Sequence, residues 1–500
     1  MPDYHPVAQV FCRYIEKPLP RHFRSGSGFI DNRASQETDS TLKSLDISLF
    51  PNKTIRVGRD IDNDIAIVHP YVSRQHFVLY SIEYEEGKPP LVYVRDPDSL
   101  CGTYVANDSA RPFRVPSSGY LLSQGEIIHV NPYWEFHVYL LGTQHTNSMM
   151  SRILSSEVDV FRDRFLVTRT LLGTGAHAGV HLAINLKTGR QVACKIHQLA
   201  HPTSTLRRIL DETNILSRLT HPNLLKFEAA FRSPHNLYTF TELATGGDLF
   251  SMRLRYPSGL REIDTKIIIR QIVEAVCYLH DQDIAHRDLK PENIFFATGP
   301  GFMTRVIVGD LGFAKIAAPG RRLASKIGTQ RFMAPEICCG HFYDKRVDIW
   351  SIGMVSLFLV AVSWDNLEVS ELSDQHAVDD ILATFFDDLS RQHRALSDNF
   401  EDFIRACLIV VPSKRMTANA SRDHNWFRSS GPRLRTRIEE FTREWRPASI
   451  VHNSIEELEL IAGAALSSFP TVSPNNTNAD AGREPIRDAQ TSHYFRSGGP

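Results

Sequence analysis

Apolar and polar residues alternate through the first third of the chain, in TIRVGRD (Thr54–Asp60), HFVLYSIEY (His76–Tyr84), LVYVRDPD (Leu91–Asp98) and EIIHV (Glu126–Val130). Short period-two runs separated by turns predict the strands of a β-sandwich. VAQVFCRYI, Val7 to Ile15, already reads as a strand, which makes the polar stretch Arg21 to Ser44 a long loop inserted after it. Farther on, Leu206 to Leu219 carries Leu206, Ile209, Leu210, Ile215, Leu216 and Leu219 largely on one side, the signature of an amphipathic helix. Met354 to Val362 is apolar apart from Ser356; it is too short to span a bilayer and reads as a core helix. The organisation expected is 7–141 for the sandwich, 142–160 for a polar linker, 165–427 for a second domain whose motifs follow below, 428–466 for a helical extension and 467–500 for a disordered tail rich in Ser, Asn, Pro and Gly. A flexible linker of ~18 residues spans roughly 25 Å, which would hold a partner of one domain near the other at about millimolar effective concentration.

The second domain contains HRDLKPEN at His286–Asn293, then DLG at Asp310–Gly312 and APE at Ala334–Glu336. Upstream, LLGTGAHAGV (Leu171–Val180) places Gly173 and Gly175 where backbone N–H groups can approach phosphates with no Cβ in the way, and VACK (Val192–Lys195) follows. These motifs in this order resemble the protein kinase family, in which catalysis comes from positioning a hydroxyl, neutralising phosphate charge and holding metal ions. The resemblance implies that Asp288 accepts the substrate hydroxyl's proton. Lys290 would meet the transferring phosphate, as in serine/threonine kinases and not tyrosine kinases. Lys195 would pair with Glu212, which stands nine residues before the HPN of His221–Asn223. The implied ATP site is Leu172, Gly173, Gly175, Val180, Lys195, Glu242, Asp248, Asn293 and Asp310, with Mg2+ on Asn293 and Asp310.

Two positions depart from the family pattern: Ala178 stands where a third glycine is expected, and Leu311 replaces the usual phenylalanine of DFG. The polar, basic segment Ile316 to Met333 suits a regulated activation loop. Ser325 and Thr329 are its candidate phosphosites, and Arg287 is placed to pair with a phosphate there. DIWSIG (Asp348–Gly353) and Arg415, as partner of Glu336, resemble the buried supports of the larger lobe. Asp248 and Glu292 fall where basophilic kinases face an arginine three residues before the target, so substrates with upstream arginine are expected.

Polar residues of the sandwich gather in loops: Gly58 and Arg59, then Ser73, Arg74 and His76, then Gly102 and Thr103. The region resembles a forkhead-associated (FHA) domain, which grips phosphothreonine. Arg59, Ser73 and Arg74 are the expected phosphopeptide contacts, since an arginine forks onto phosphate oxygens and a serine adds a neutral hydrogen bond. His76 is expected to brace the loop. Cys101 occupies the position where the family usually has an asparagine that holds the peptide backbone.

The fold expected is therefore multidomain: an all-β FHA sandwich followed by a bilobal α+β protein kinase domain. With 500 residues, 42% hydrophobic, 23% charged and net charge −1, the chain shows no basic bias toward nucleic acid, no signal-peptide core and no membrane segment. Seven cysteines without metal spacing argue for free thiols in a reducing compartment. FHA followed by kinase resembles the checkpoint effector kinases of DNA damage or meiotic recombination. A lone Ser35-Gln36 in the stretch ahead of TIRVGRD tilts the resemblance toward the fungal meiotic branch. It implies phosphothreonine-bearing partners, transient self-association for trans-phosphorylation, and a location in the nucleus, with the cytoplasm as a second site. A pseudokinase phosphopeptide adaptor and an FHA kinase of another signalling pathway stay open.

Overall fold

Alternation in the first third folds into two stacked sheets. The computed structural model describes residues 5–14, 45–84, 89–106, 112–141, 157–158, 161, 163–174, 178–199, 203–311, 314–316, 330–338, 344–362, 374–429, 431–447 and 455–457. Among these, β1 (Ala8–Tyr14), β2 (Leu45–Leu49), β3 (Thr54–Gly58), β4 (Ile65–Ala66), β5 (Phe77–Ile82), β6 (Leu91–Arg95), β7 (Thr103–Ala106), β8 (Phe113–Arg114), β9 (Tyr120–Leu121), β10 (Ile127–Val130) and β11 (Trp134–Leu140) build the sandwich. One sheet has the order β2-β1-β11-β10-β7-β8, the other β4-β3-β5-β6-β9. Ile55, Val57, Phe77, Leu79, Val92 and Val94 of the second sheet meet Val105, Ile128, Val130, Phe136 and Val138 of the first in a common core.

The opposite face of β5 and β6 is apolar too. Tyr80, Ile82, Leu91 and Tyr93 alternate with the core residues, and Tyr80 and Tyr93, paired in register, stack at 5.4 Å. A strand apolar on both faces must be covered on both, and here the second cover is the second domain. These residues form one buried cluster with Leu182, against which Leu172 and Leu243 also pack.

The small lobe is an antiparallel sheet, β12 (Phe165–Thr174), β13 (Ala178–Asn185), β14 (Arg190–Gln198), β15 (Phe227–Arg232) and β16 (Asn236–Glu242), in the order β12-β13-β14-β16-β15. Helix α1 (Thr203–Arg218) crosses it, burying Ile209, Ile215 and Leu216 as the periodicity predicts. The larger lobe forms around α2 (Leu249–Leu254), α3 (Glu262–Asp281) and α4 (Val347–Val360). α4 is buried along its whole length, consistent with the core-helix reading. No helix among the described residues is long and apolar enough to cross a membrane.

Two segments differ from the sequence reading. At the end of the polar stretch 142–160, Glu157 is fully buried and its Oε2 accepts hydrogen bonds from Asn236 Nδ2 (2.7 Å) and the Tyr238 hydroxyl (2.6 Å). Just beyond, Phe161 stacks on Phe231 at 5.0 Å, so polar composition concealed a docked end. The extension 428–466 contains the helix Gly431–Thr442 and then a short strand, Glu456–Glu457, that adds in parallel to β15. The inserted loop 21–44 and the tail 467–500 lie outside the described residues.

Candidate functional site

The loop after α3 is held by one buried carboxylate. Asp348, at the start of α4, accepts from the His286 amide (2.9 Å), the Arg287 amide (2.8 Å) and His280 Nε2 (2.8 Å). Burial pulls its pKa up, but the His280 hydrogen bond and charge, with the Arg287 amide, hold it below the ordinary carboxylate value. The anchored amides keep Arg287 at φ +70, a left-handed conformation that a non-glycine residue rarely adopts unaided. His286 Nε2 meets the Gly309 carbonyl at 3.0 Å, tying this loop to the segment that carries Asp310.

Asp288 is buried at the end of that loop. Asn293 Nδ2 donates to its carbonyl (2.8 Å) and to its Oδ2 (3.0 Å), and Lys290 Nζ lies 3.0 Å from the same Oδ2. The strands Ile294–Phe296 and Val306–Val308 pair with Ile294 opposite Val308, and the Gly309 amide donates to the Asn293 carbonyl at 2.9 Å. This hairpin brings Asn293 and Asp310 to the same end. With Nδ2 of Asn293 turned to Asp288, its amide oxygen is the atom left for a cation; together with the Asp310 carboxylate it offers the oxygen ligands a hard divalent ion takes.

Lys195 reaches in from β14. Its Nζ lies 2.8 Å from Glu212 Oε1 on α1 and 3.3 Å from Asp310 Oδ1. Burial disfavours its charge, but the two carboxylates more than reverse this and raise its pKa above the ordinary lysine value. Gly173 faces open space where a Cβ would have no neighbour within 4 Å, which suits close approach of backbone to a phosphate. Val180 is half-buried beside it in register.

Two expected nucleotide contacts have other partners. The Glu242 carboxylate pairs with Arg305 and accepts the Lys226 amide (3.0 Å), and its own amide donates to the Lys226 carbonyl (3.0 Å). Asp248 is buried and caps α2 through Ser251, its Oδ1 accepting the amide at 2.6 Å and its Oδ2 the hydroxyl at 3.0 Å. Burial pushes its pKa up to about 6. Glu292, by contrast, is exposed. Leu311 is buried in the large-lobe core, and Arg415 forks onto both oxygens of Glu336 at 2.7 and 3.0 Å. Gly175, Ser325 and Thr329 lie outside the described residues.

In the sandwich, three loops are stitched into one surface. The Arg59 amide donates to the Ser73 carbonyl (2.8 Å), and Asn63 Nδ2 bridges the Asp60 and Arg74 carbonyls at 2.7 and 2.8 Å. The loops approach so closely at Gly58 that a Cβ there would stand 2.2 Å from the Arg74 carbonyl oxygen. His76 is the brace expected: Nδ1 accepts the Ser73 amide at 3.0 Å while Nε2 meets the Gly102 carbonyl at 3.3 Å, which assigns the proton to Nε2. Ser73 Oγ accepts the Leu100 amide (3.0 Å), leaving its hydroxyl hydrogen to donate. Arg59 and Arg74 are exposed beside it, and Cys101 is half-buried in the third loop.

Sequence reasoning missed Asp96, which organises that third loop by accepting from Ser99 N (2.6 Å), Ser99 Oγ (2.6 Å), Asp98 N (3.1 Å) and Thr103 N (2.8 Å). Burial opposes its charge, yet these donors lower its pKa. It also missed the outer face of β5, although HFVLYSIEY itself carried the signal: Val78, Tyr80 and Ile82 are apolar at positions that a solvated strand face would make polar.

Comparison with known proteins places these features. The protein kinase domain family matches residues 166–427, and the FHA domain family matches residues 55–131. The chain is 31% identical over 420 residues to the meiosis-specific serine/threonine-protein kinase mek1 of Schizosaccharomyces pombe, covering 81% of this chain and 87% of that one. It is 27% identical over 420 residues to the meiosis-specific serine/threonine-protein kinase MEK1 of Saccharomyces cerevisiae, covering 76% and 82%. Over 265 residues it is 33% identical to the calcium/calmodulin-dependent protein kinase type 1 of Macrobrachium nipponense, covering 53% and 75%.

Proposed function

The chain belongs to the protein kinase family, as a serine/threonine kinase with an FHA domain ahead of its catalytic lobes, and we propose that Asp288, Lys290, Lys195, Glu212, Asn293 and Asp310 carry the transfer. The observation that supports this assignment is their grouping: Lys195 touches Glu212 and Asp310, Asn293 and Lys290 both touch Asp288, and the bond from the Gly309 amide to the Asn293 carbonyl brings Asn293 and Asp310 to one end of a hairpin. Asp288 takes the proton of the substrate hydroxyl. Lys195, fixed by Glu212, orients ATP phosphates, and Lys290 meets the transferring group. Asn293 and Asp310 hold the divalent ion, which we take to be Mg2+; when bound it neutralises phosphate charge. Leu172, Gly173, Gly175 and Val180 roof the nucleotide, with the Glu242 backbone and Asp248 at its edge.

Phosphothreonine partners are read by Arg59, Ser73 and Arg74, and recruitment promotes trans-phosphorylation at Ser325 or Thr329 through transient self-association. Exposed Glu292 favours substrates with an arginine three residues before the target, Asp248 being turned toward Ser251. The similarity to kinases named as meiosis-specific supports work in the meiotic recombination checkpoint, in the nucleus.

A peptide library phosphorylated by the full chain and by Asp310→Ala tests the enzyme and its preference together. Loss of transfer in the variant and enrichment of upstream arginine by the parent are expected. Undiminished autophosphorylation of Asp310→Ala, with contaminating kinases excluded, would overturn the site, and a flat profile would remove the arginine preference.

A further inference from the structure

The connection between β16 and α2, residues 243–247, is where the two lobes of the catalytic domain hinge, and the FHA sandwich sits against it. The Tyr80 hydroxyl donates to the Thr245 carbonyl at 3.0 Å, and the Thr245 hydroxyl donates to the Ser118 carbonyl. Leu243 packs on the cluster of Tyr80, Ile82 and Tyr93. At Gly247, with φ +81, a Cβ would lie 3.0 Å from Ile82.

Contacts continue on either side of the hinge. Toward the small lobe, Gln191 pairs with the main chain of Leu121 in both directions, at 2.7 and 2.9 Å, and Leu182 is buried in the shared cluster. Toward the large lobe, Arg95 Nη1 donates to the Gly299 carbonyl at 3.0 Å, and a Cβ at Gly299 would lie 2.5 Å from the Tyr80 ring. One rigid sheet therefore grips both lobes and the segment joining them. It does so while the Lys195–Glu212 pair is closed at 2.8 Å, so the docked arrangement is compatible with an assembled nucleotide site.

We infer that Tyr80, Ile82 and Tyr93 are positioning residues of the ATP site: the FHA domain is an inter-lobe splint that fixes the hinge, and nucleotide affinity depends on its being seated. This rests on the nucleotide-site reading above. The physical reason is entropic: an unsplinted hinge samples lobe angles in which Leu172, Gly173 and Val180 and the hinge backbone do not face one nucleotide together, and ATP must then bear the cost of ordering them. A splint removes that cost before ATP arrives.

The test uses the full chain and begins with the parent's own kinase activity, whose absence would sink the site reading rather than the splint. Ile82→Asp charges the interface but points away from Phe77 and Leu79, so the sandwich core is untouched. KM for ATP is expected to rise at least about fivefold, with kcat at saturating ATP and affinity for a phosphothreonine peptide within about twofold of the parent, and with faster hydrogen exchange across residues 243–247. Ile82→Leu should restore the parental KM. Should Ile82→Asp lose phosphopeptide binding, Arg95→Ala combined with Gln191→Ala replaces it and is judged in the same way. An unchanged KM overturns the inference, whether or not hinge exchange accelerates. So does a fall in kcat with KM unmoved.

Discussion

Replacing Glu212 by Gln keeps the shape of the side chain and one acceptor oxygen but removes the charge facing Lys195. In the structure that carboxylate lies 2.8 Å from Nζ, with the glutamate 12% and the lysine 29% exposed, so the pair is shielded from most solvent screening. Asp310 remains at 3.3 Å, so the ammonium is not stranded but is free to lean toward the metal ligand. A charge-assisted bond of this kind contributes about 1.5–3 kcal/mol, and each ~1.4 kcal/mol of transition-state stabilisation is about a factor of ten. kcat/KM should therefore fall about 10- to 150-fold, with Glu212→Gln near the lower end and Glu212→Ala near the upper. α1 is seated by Ile209, Ile215 and Leu216, so thermal stability should hardly move. Initial rates at ATP well below KM give the ratio directly. The pair acts as a unit, so combining Glu212→Ala with Lys195→Met should cost little more than Lys195→Met alone. Parental kcat/KM in Glu212→Gln, or full additivity in the double variant, would refute the assignment of Glu212 as the residue that orients the lysine.

Arg59→Ala removes a charge-assisted phosphate contact and should weaken binding of a phosphothreonine peptide at least about tenfold. Fluorescence anisotropy with phosphorylated and unphosphorylated peptides measures it, and equal affinity of the parent for both would show that the sandwich does not read phosphate. His76 supplies a pH dependence: burial lowers its pKa against smaller opposing effects from Asp96 and the Gly102 carbonyl. The unfolded chain then binds the proton first as pH falls, so the stability His76 confers is complete above about pH 6.5 and is lost on acidification below it. Urea midpoints of parent and His76→Gln should converge as pH falls from 7.5 toward 5.5; parallel curves would mean that the ring is not held neutral.

Sequence reveals the catalytic loop more readily than its supports because the loop's chemistry is contiguous. Asp288, Lys290 and Asn293 lie within six residues and act on one another across 3.0 Å. Asp348, which fixes that loop, lies 62 residues away from His286; DIWSIG marks it as a buried support, but only the fold shows that it accepts the His286 and Arg287 amides. Asp96 was hidden for a different reason: it closes the run LVYVRDPD as one of two aspartates, and only the folded loop shows one carboxylate gathering four donors. At Asp248 and Glu242 the residue type suggested a ligand, while a local helix cap through Ser251 and a distant partner, Arg305, took the two side chains. Glu157 and Phe161 show the limit of composition, since one buried aromatic and one carboxylate held through Oε2 are enough to dock the end of a polar stretch.

β5 brings these strands of reasoning to one place. Its start follows Ser73 and His76, its inner face holds Phe77 and Leu79 in the sandwich core, and its outer face presents Tyr80 and Ile82 to the hinge. β6 repeats the arrangement, with Tyr93 outward and Asp96 immediately beyond its end. The strands that seat the hinge are thus those whose ends shape the phosphopeptide loops. A strand resists sliding by single residues, because a one-residue shift would exchange its two faces and put each set of side chains into the interface shaped for the other. Any energetic coupling between loops and hinge is therefore carried by small rigid tilts of the sheet rather than by slippage. Such coupling is reciprocal: if a seated phosphopeptide tightens ATP binding, ATP tightens the phosphopeptide by the same factor.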